Sequence, residues 1–214
     1  MIVDPAGARD ALRAGAAVVL PNPAPLTHVV AATTPQAVNG TKGRPLDQAV
    51  AVWAHHPGTL AAVTASDPGL AVVARRLLVE ERVTLLVPVH AVPAWLAPAT
   101  RDGWALLFGA RWEAVLPVLD PFPVLYVSSA NRTGGEPVAT TADALTTFSA
   151  DTPVLDLPDE EAGPVRRATT TLRLHPDGHL ELHRRGAQDD LHDDPADYLH
   201  HVRTRVLSSA EKRR

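Results

Sequence analysis

Short apolar segments alternate with helical patterns along most of this 214-residue chain. Proline, glycine and polar residues bound each apolar run, which is the pattern of strands buried on both faces of a sheet. We predict strands over residues 16–21, 28–34, 49–55, 83–89, 104–110, 123–131 and 153–157, and a hairpin over 168–186. We predict helices over 4–15, 34–40, 67–81, 111–119 and 140–150. This alternation favours an α/β fold around a mixed, largely buried sheet.

The composition excludes several classes of protein. No apolar run approaches the roughly 18 residues of a membrane span, and the N-terminal sequence has no basic region followed by an apolar block, so we expect a cytoplasmic protein. The absence of cysteine excludes disulfides, thiolate metal sites and a cysteine nucleophile. A net charge of -4 and an aromatic content of 4% disfavour a strongly basic nucleic-acid-coating protein and base-stacking platforms.

The composition changes after Gly186. We predict one domain over residues 1–187, followed over 188–214 by an acidic linker and a C-terminal helical extension. Leu199, Val202 and Val206 share one stripe of that helix, which predicts that it docks on the domain or on a partner.

Lys42 is the only lysine outside the C-terminal tail, in a chain with 20 lysines and arginines. We place it on the loop that follows the helix 34–40. Arginine offers a rigid fork, whereas a lysine ammonium is a compact charge with three donors that suits a phosphate or carboxylate. Lys42 is therefore a candidate anion ligand, the alternative being an ordinary solvated loop lysine.

Small polar side chains follow the predicted strand 123–131, in the stretch SSANRTGGEP. Ser128, Ser129 and Asn131 lie where that strand ends, and ligands of α/β sheets bind at the carboxyl ends of strands. Hydroxyl and amide groups there can bind a phosphate or a sugar without adding charge. An ordinary turn is the alternative interpretation of this stretch.

Taken together, KGRP at 42–45 and SAN at 129–131 resemble two motifs of the YrdC-type family of threonylcarbamoyl-AMP synthases. The stretches ATTTLRL and LHRRGA resemble that family's late strands, the second with its arginine before a glycine. The resemblance covers about residues 6 to 188. It implies a YrdC-like twisted open mixed sheet with flanking helices around a concave groove, followed here by the C-terminal helix.

The resemblance also implies an ATP-dependent nucleotidyltransferase. Such an enzyme joins bicarbonate and L-threonine, transfers AMP to the carbamate and releases pyrophosphate, for the modification of a tRNA. By the same resemblance, Mg²⁺ travels with ATP and the protein itself holds no metal. Lys42 and Arg44 would be catalytic, and the nucleotide would be bound by Ser128, Ser129, Asn131, Thr170 and Arg184.

The chain departs from the family pattern around the amino acid. The loop PNPAPLT brings Asn22, Leu26 and Thr27 to the acceptor pocket in place of the family's threonine-rich motif. Leu107 stands where an arginine of the family is expected, whereas Thr84 is kept. Because of these changes, the resemblance leaves the amino-acid substrate open between L-threonine and another amino acid.

Two other functions fit the same residues. One is a non-catalytic paralogue that binds nucleotide or a double-stranded RNA or tRNA, alone or with tRNA-modification proteins. The other is a carbamoyl-transfer relative that acts on a small metabolite. The ten histidines do not indicate a metal site, because the pairs 55–56 and 200–201 are adjacent residues that point in different directions.

Overall fold

A computed structural model describes residues 1–63, 68–109, 112–157 and 165–211. The strands in this part of the chain are β1 Ile2–Val3, β2 Val18–Leu20, β3 Val29–Ala32, β4 Ala51–Trp53, β5 Thr84–Pro88, β6 Thr100–Arg101, β7 Trp104–Phe108, β8 Tyr126–Ser129, β9 Val154–Leu155, β10 Thr171–Leu174 and β11 Leu180–Arg184. The helices are α1 Pro5–Arg13, α2 Pro35–Lys42, α3 Pro57–Val63, α4 Pro68–Val79, α5 Leu116–Leu119, α6 Thr141–Thr147 and α7 Pro195–Glu211.

All described strands form one mixed sheet, in the order β1-β9-β2-β3-β8-β4-β7-β5-β10-β11, with β6 paired to β7. Parallel pairs such as β4 with β7 and β5 with β10 adjoin antiparallel pairs such as β3 with β8. The sequence-based prediction of an α/β fold with a twisted mixed sheet is confirmed.

A hydrophobic core cluster covers each face of the sheet, and successive residues of a strand contact the two clusters in turn. Val19 belongs to the core cluster that includes residues of α4 and α7, whereas Val18 and Leu20 belong to the cluster on α1 and α5. All three side chains have no exposed area. This two-residue alternation explains why the strand segments are continuous apolar runs in the sequence.

Helix α2 is longer than the sequence predicted, and Lys42 lies in its last turn rather than on a loop. The helix continues through Gly40 and ends at Gly43, whose φ of 66° is the left-handed conformation that ends many helices. Its backbone N–H caps the helix at Gly40 O. The predicted end at Gly40 was wrong because either glycine could have ended the helix.

Three further differences concern local structure. The predicted helix 111–119 is regular only from Leu116, with turns over 113–115, and Arg111 lies outside the described residues. Helix α3 was not predicted from its short, proline-initiated sequence. Strands β1 and β6 were also missed, because two residues carry no periodicity. Asp67, the first residue of the predicted helix 67–81, lies outside the described residues.

Helix α7 packs onto the domain through the predicted stripe. Val202 and Val206 are buried, and Leu199 is partly buried against the same core cluster, which Tyr198 also joins. Arg203 Nη2 donates to Leu180 O of β11 at 2.9 Å. The division of the chain at residue 187 stays a prediction. No helix in the described ranges has the length and apolarity to cross a bilayer.

Gly109 makes the tightest backbone approach next to the central strands. A Cβ at this position would lie 2.5 Å from Leu78 O and 2.6 Å from Val83 O, which is closer than carbon and oxygen tolerate. We expect Gly109→Ala to lower the thermal midpoint strongly or to prevent folding, because backbone atoms must move to admit the methyl group.

Gly40→Ala is the matched control. Gly40 lies inside α2, and a Cβ added there would have only Leu46 Cδ2 near it, at 3.9 Å. We expect it to leave the midpoint unchanged or to raise it by the equivalent of about 0.5 to 1 kcal/mol, since alanine is the better helix former. Equal midpoints for the two variants, measured by circular dichroism, would contradict the described packing.

Candidate functional site

Lys42 joins the end of α2 to the end of β8. Its side chain is buried, with the residue 3% exposed. The ammonium donates to Ser129 O and to Asn131 Oδ1, the latter at 2.6 Å, and lies 3.5 Å from Ser129 Oγ. Three neutral oxygens therefore surround the charge, which the structure buries instead of leaving it in solvent.

The Ser-Ala-Asn turn is itself organised for this contact. Ser129 Oγ donates to Asn131 Oδ1 at 2.7 Å, while Asn131 Nδ2 donates to Arg132 O and Gly135 O. The Asn131 amide oxygen thus faces Lys42 and its nitrogen closes the turn over 131–135. Lys42 lies 87 residues before Ser129 and 89 before Asn131 in the chain, yet its hydrogen bonds join the two motifs that the sequence singled out.

Arg44 adds a second cation beside the first. Burial, together with the like charge of Arg44, lowers the pKa of Lys42 from its ordinary value to about 7. Arg44 Nε donates to the neutral Asn39 Oδ1 at 2.6 Å, and burial lowers the pKa of this guanidinium as well. No ion pair in the described part of the chain involves Lys42 or Arg44.

One nitrogen of the Arg44 guanidinium, Nη2, is buried without a hydrogen-bond partner. An unpaired, charged N–H group away from water is costly, so such groups in proteins normally have a partner. Arg44 lines a cavity of about 260 Å³, which is where a partner could be supplied.

The cavity lies over the central strands, on the sheet face that α1 and α5 cover further along. Its wall combines apolar strand residues, hydroxyl groups and two arginines. The lining residues are Thr27, Val29, Arg44, Ala49, Val50, Ala51, Thr84, Leu106, Phe108, Val127, Ser128, Ser129, Ala168, Thr169 and Arg184.

Another part of the cavity wall is formed by Thr84 of β5, by residues 168 and 169 before β10, and by the end of β11. Arg184 lies there at the end of β11, and its Nη2 donates to Thr169 O at 3.2 Å. The hydroxyls of Thr84 and Thr169 are 2.5 Å apart. Arg184, like Arg44, forms no ion pair among the described residues.

The structure thus brings together many of the residues that the sequence predicted. Arg44, Ser128, Ser129, Thr27 and Arg184 all line the cavity. Lys42 and Asn131 lie behind the wall and contact Ser129.

Three further predicted residues do not line the cavity. Thr170 is fully buried, and its hydroxyl donates to Asp189 Oδ1 at 2.7 Å. Asn22 Nδ2 donates to Thr27 O at 2.8 Å and so shapes the loop, and Leu26 is buried beside a bridge to Arg167. The roles of all the named residues toward a ligand stay predictions.

Leu107, where the family pattern has an arginine, faces the core and not the cavity. Its neighbours Leu106 and Phe108 line the cavity. Strand β7 therefore contributes no charged side chain to the site, whether the family's arginine is aligned with position 106, 107 or 108.

Sequence reasoning missed three residues that shape the site. Asn39 positions Arg44, and Thr169 lines the cavity next to Thr170. Arg166, which is distant in the chain, donates from Nη1 to Asn22 O and Leu26 O at 2.8 and 2.9 Å and so fixes the loop over 22–27. Thr169 could have been found from strand alternation, whereas the contacts of Asn39 and Arg166 depend on the fold.

No protein-family model matches this sequence, and no curated protein matches it. Solved structures do. A variant of Sua5 from P. abyssi is similar with a TM-score of 0.68 and 17% identity, over 87% of this chain and 60% of that one. P. abyssi Sua5 complexed with L-threonine has a TM-score of 0.64 and 17% identity, over 81% of this chain and 54% of that one.

E. coli YciO is similar with a TM-score of 0.62 and 11% identity, over 87% of this chain and 94% of that one. This chain therefore spans little more than half the length of the two Sua5 chains and nearly the whole of YciO. The Sua5 and YciO likenesses agree with the resemblance seen in the two motifs, and the chain is a divergent protein with the YrdC-like fold.

Proposed function

We propose that this chain is an ATP-dependent nucleotidyltransferase of the threonylcarbamoyl-AMP synthase kind. The observation that carries the proposal is the unpaired, buried Nη2 of Arg44, a residue that lines the cavity beside the buried Lys42 and, like Lys42, forms no ion pair with a carboxylate among the described residues. An anionic ligand would supply the missing partner and the missing negative charge.

Each of the three reactants carries an anionic group: the triphosphate of ATP, bicarbonate itself and the carboxylate of the amino acid. The amine of the amino acid attacks bicarbonate, and water leaves as the carbamate forms. A carbamate oxygen then attacks the α-phosphorus of ATP, and the bond to the β-phosphate oxygen breaks to release pyrophosphate. Fixed cations lower the repulsion between these groups, so the protein acts mainly by positioning and by electrostatic stabilisation.

Each element has a place in this scheme. Arg44 and Arg184 both line the cavity and would bind phosphate or carboxylate oxygens through their guanidinium groups. The Ser128 hydroxyl would donate a neutral hydrogen bond, whereas the Ser129 hydroxyl already donates to Asn131 Oδ1 and would act toward a ligand only as an acceptor. Lys42 would act from behind the wall, by its charge and by holding Ser129 and Asn131.

Mg²⁺ would be bound by the triphosphate and by water. No carboxylate is found in the described cavity wall, and no cluster of His, Asp and Glu suited to a metal is found in the described ranges. Oxygen ligands of the phosphates are those that Mg²⁺ prefers.

The amino-acid substrate is proposed from the likeness to Sua5, whose structure was obtained in complex with L-threonine. Thr27 offers one hydroxyl at the cavity, and the loop over 22–27 is held by Arg166. The face that β7 presents is apolar. This combination fits a small amino acid with an apolar or weakly polar side chain.

Pyrophosphate release tests the catalytic proposal directly. We expect the purified protein to release pyrophosphate from ATP only when both bicarbonate and an amino acid are present, with threonine, serine, valine and alanine compared. ATP binding without any release under these conditions would favour the non-catalytic paralogue instead.

Arg44→Met tests the anion site. Removal of a charge-assisted bond should cost about 1.5 to 3 kcal/mol of ATP binding, a loss on the order of ten- to a hundredfold in affinity. Because the substitution also removes the bond from Arg44 Nε to Asn39 Oδ1, the affinities are compared at a temperature at which the melting curves show both proteins folded. Isothermal titration and a melting curve give the two readings.

Arg9→Met is the control, because Arg9 lies on α1, is partly exposed and, among the described residues, forms a side-chain hydrogen bond only to Pro117 O, at 3.3 Å. It removes the same charge far from the cavity. Equal ATP affinities for the two variants would show that Arg44 does not bind the nucleotide.

The pH dependence of ATP binding should report on Lys42. Because its pKa is lowered to about 7 in the ligand-free protein, the ammonium is increasingly lost above that pH. A bound anion favours the charged form, so binding takes up a proton and the affinity should fall as the pH rises above about 7.

Titrations from about pH 6 to about pH 9, a range that brackets the Lys42 pKa, in buffers of different ionisation enthalpy would measure this proton uptake. Lys42→Met keeps the length of the side chain without a titrating group, and it corrects for the titration of ATP itself. Matching pH profiles for the wild type and Lys42→Met would contradict the role assigned to the ammonium.

A further inference from the structure

A buried hydrogen-bond network lies directly behind the Thr169 and Arg184 side of the cavity. At its centre is Asp189, which is 1% exposed. Its Oδ1 accepts from Thr170 Oγ1 at 2.7 Å and from Gly186 N at 2.6 Å, and its Oδ2 accepts from Arg185 Nε at 2.8 Å. Burial by itself would raise the pKa of Asp189, but these bonds hold it below its usual range.

The network joins two backbone segments, 168–170 and 184–189. Ala187 N donates to Ala168 O at 2.9 Å, and Thr170 N donates to the Gln188 side-chain oxygen at 2.7 Å. Thr170 Oγ1 also accepts from the backbone N–H groups of Gln188 and Asp189, both at 3.1 Å. The Thr170 hydroxyl is thus saturated and points away from the cavity.

The two segments approach so closely that only glycine fits at position 186. A Cβ there would lie 2.4 Å from both Ala168 O and Thr170 N. Each segment also carries a cavity residue next to the network: Thr169 precedes Thr170, and Arg184 lies two residues before Gly186. A shift of one segment against the other would therefore move Arg184 relative to Thr169.

We propose that Asp189 and Thr170 are positioning residues of the ligand site. They do not touch the ligand, but they fix segment 168–170 against segment 184–187 and so hold the Arg184 guanidinium at the rim of the cavity. This inference rests on the proposed function, because it assigns to Arg184 an anionic ligand of that same site. It gives a role to Thr170 other than direct contact with a nucleotide.

Thr170→Val and Thr170→Ser test the inference as a matched pair. Valine keeps the shape and removes the hydroxyl, whereas serine keeps the hydroxyl. By titration with ATP, at a temperature where circular dichroism shows all variants folded, we expect valine to weaken binding roughly tenfold and serine to restore it. Asp189→Asn should weaken ATP binding similarly, because the side-chain nitrogen of the asparagine would face the Arg185 Nε donor and the hydrogen bond between them would be lost. This second variant tests the inference if Thr170→Val does not fold.

A double-mutant cycle separates positioning from general destabilisation. In an Arg184→Met background, Thr170→Val should have almost no further effect on ATP affinity, because the group that it positions is gone. Leu12→Ala, in the buried face of α1, is the control that lowers stability without changing affinity.

The outcomes distinguish the two levels of the proposal. A wild type that binds no ATP overturns the proposed function and this inference with it. A wild type that binds ATP, with unchanged affinity in Thr170→Val and Asp189→Asn, overturns the inference alone. Full additivity of Thr170→Val and Arg184→Met also overturns it, because the two residues would then act independently.

Discussion

The burial of one lysine ammonium among neutral oxygens is the constraint on which the site depends. Lys42 is held by Ser129 and Asn131, so the last turn of α2 and the end of β8 cannot move independently. The charge is only partly compensated by these dipoles, and Arg44 adds a like charge beside it. Burying these two cations costs desolvation free energy, but it places uncompensated positive charge beside the cavity. This positive charge would attract an anion, and it is the physical basis of the function proposed here.

The cavity itself results from the way in which the sheet is covered. One face is packed by α1 and α5 over part of the sheet, and the cavity lies beyond them, with Val29, Ala51, Phe108 and Val127 in its wall. Strand β7 turns Leu107 to the opposite core and Leu106 and Phe108 to the cavity. The two arginines that line the cavity therefore come from the segment after α2 and from the end of β11, and not from strand β7.

Several local features could be predicted because they depend on nearby residues. Pro5 and Asp4 start α1, as Asp4 Oδ1 accepts from Gly7 N at 2.8 Å, and the apolar runs became strands where they were expected. The end of α2 could not be predicted, since Gly40 and Gly43 are equally good stop signals and only the contact of Lys42 with β8 distinguishes them. Helix α5 is shorter than the predicted helix 111–119, with turns before Leu116.

By itself the sequence determined the α/β class, the order of most elements and the two motifs that converge, because periodicity and turn chemistry are local properties. Only the tertiary structure decided that Lys42 is buried, that Thr169 and not Thr170 lines the cavity, and that the buried Asp189 accepts a hydrogen bond from Thr170. The reason is that burial, the pKa of a lysine and the partner of a carboxylate are set by residues distant in the chain, and no short-range pattern encodes which of those residues will meet.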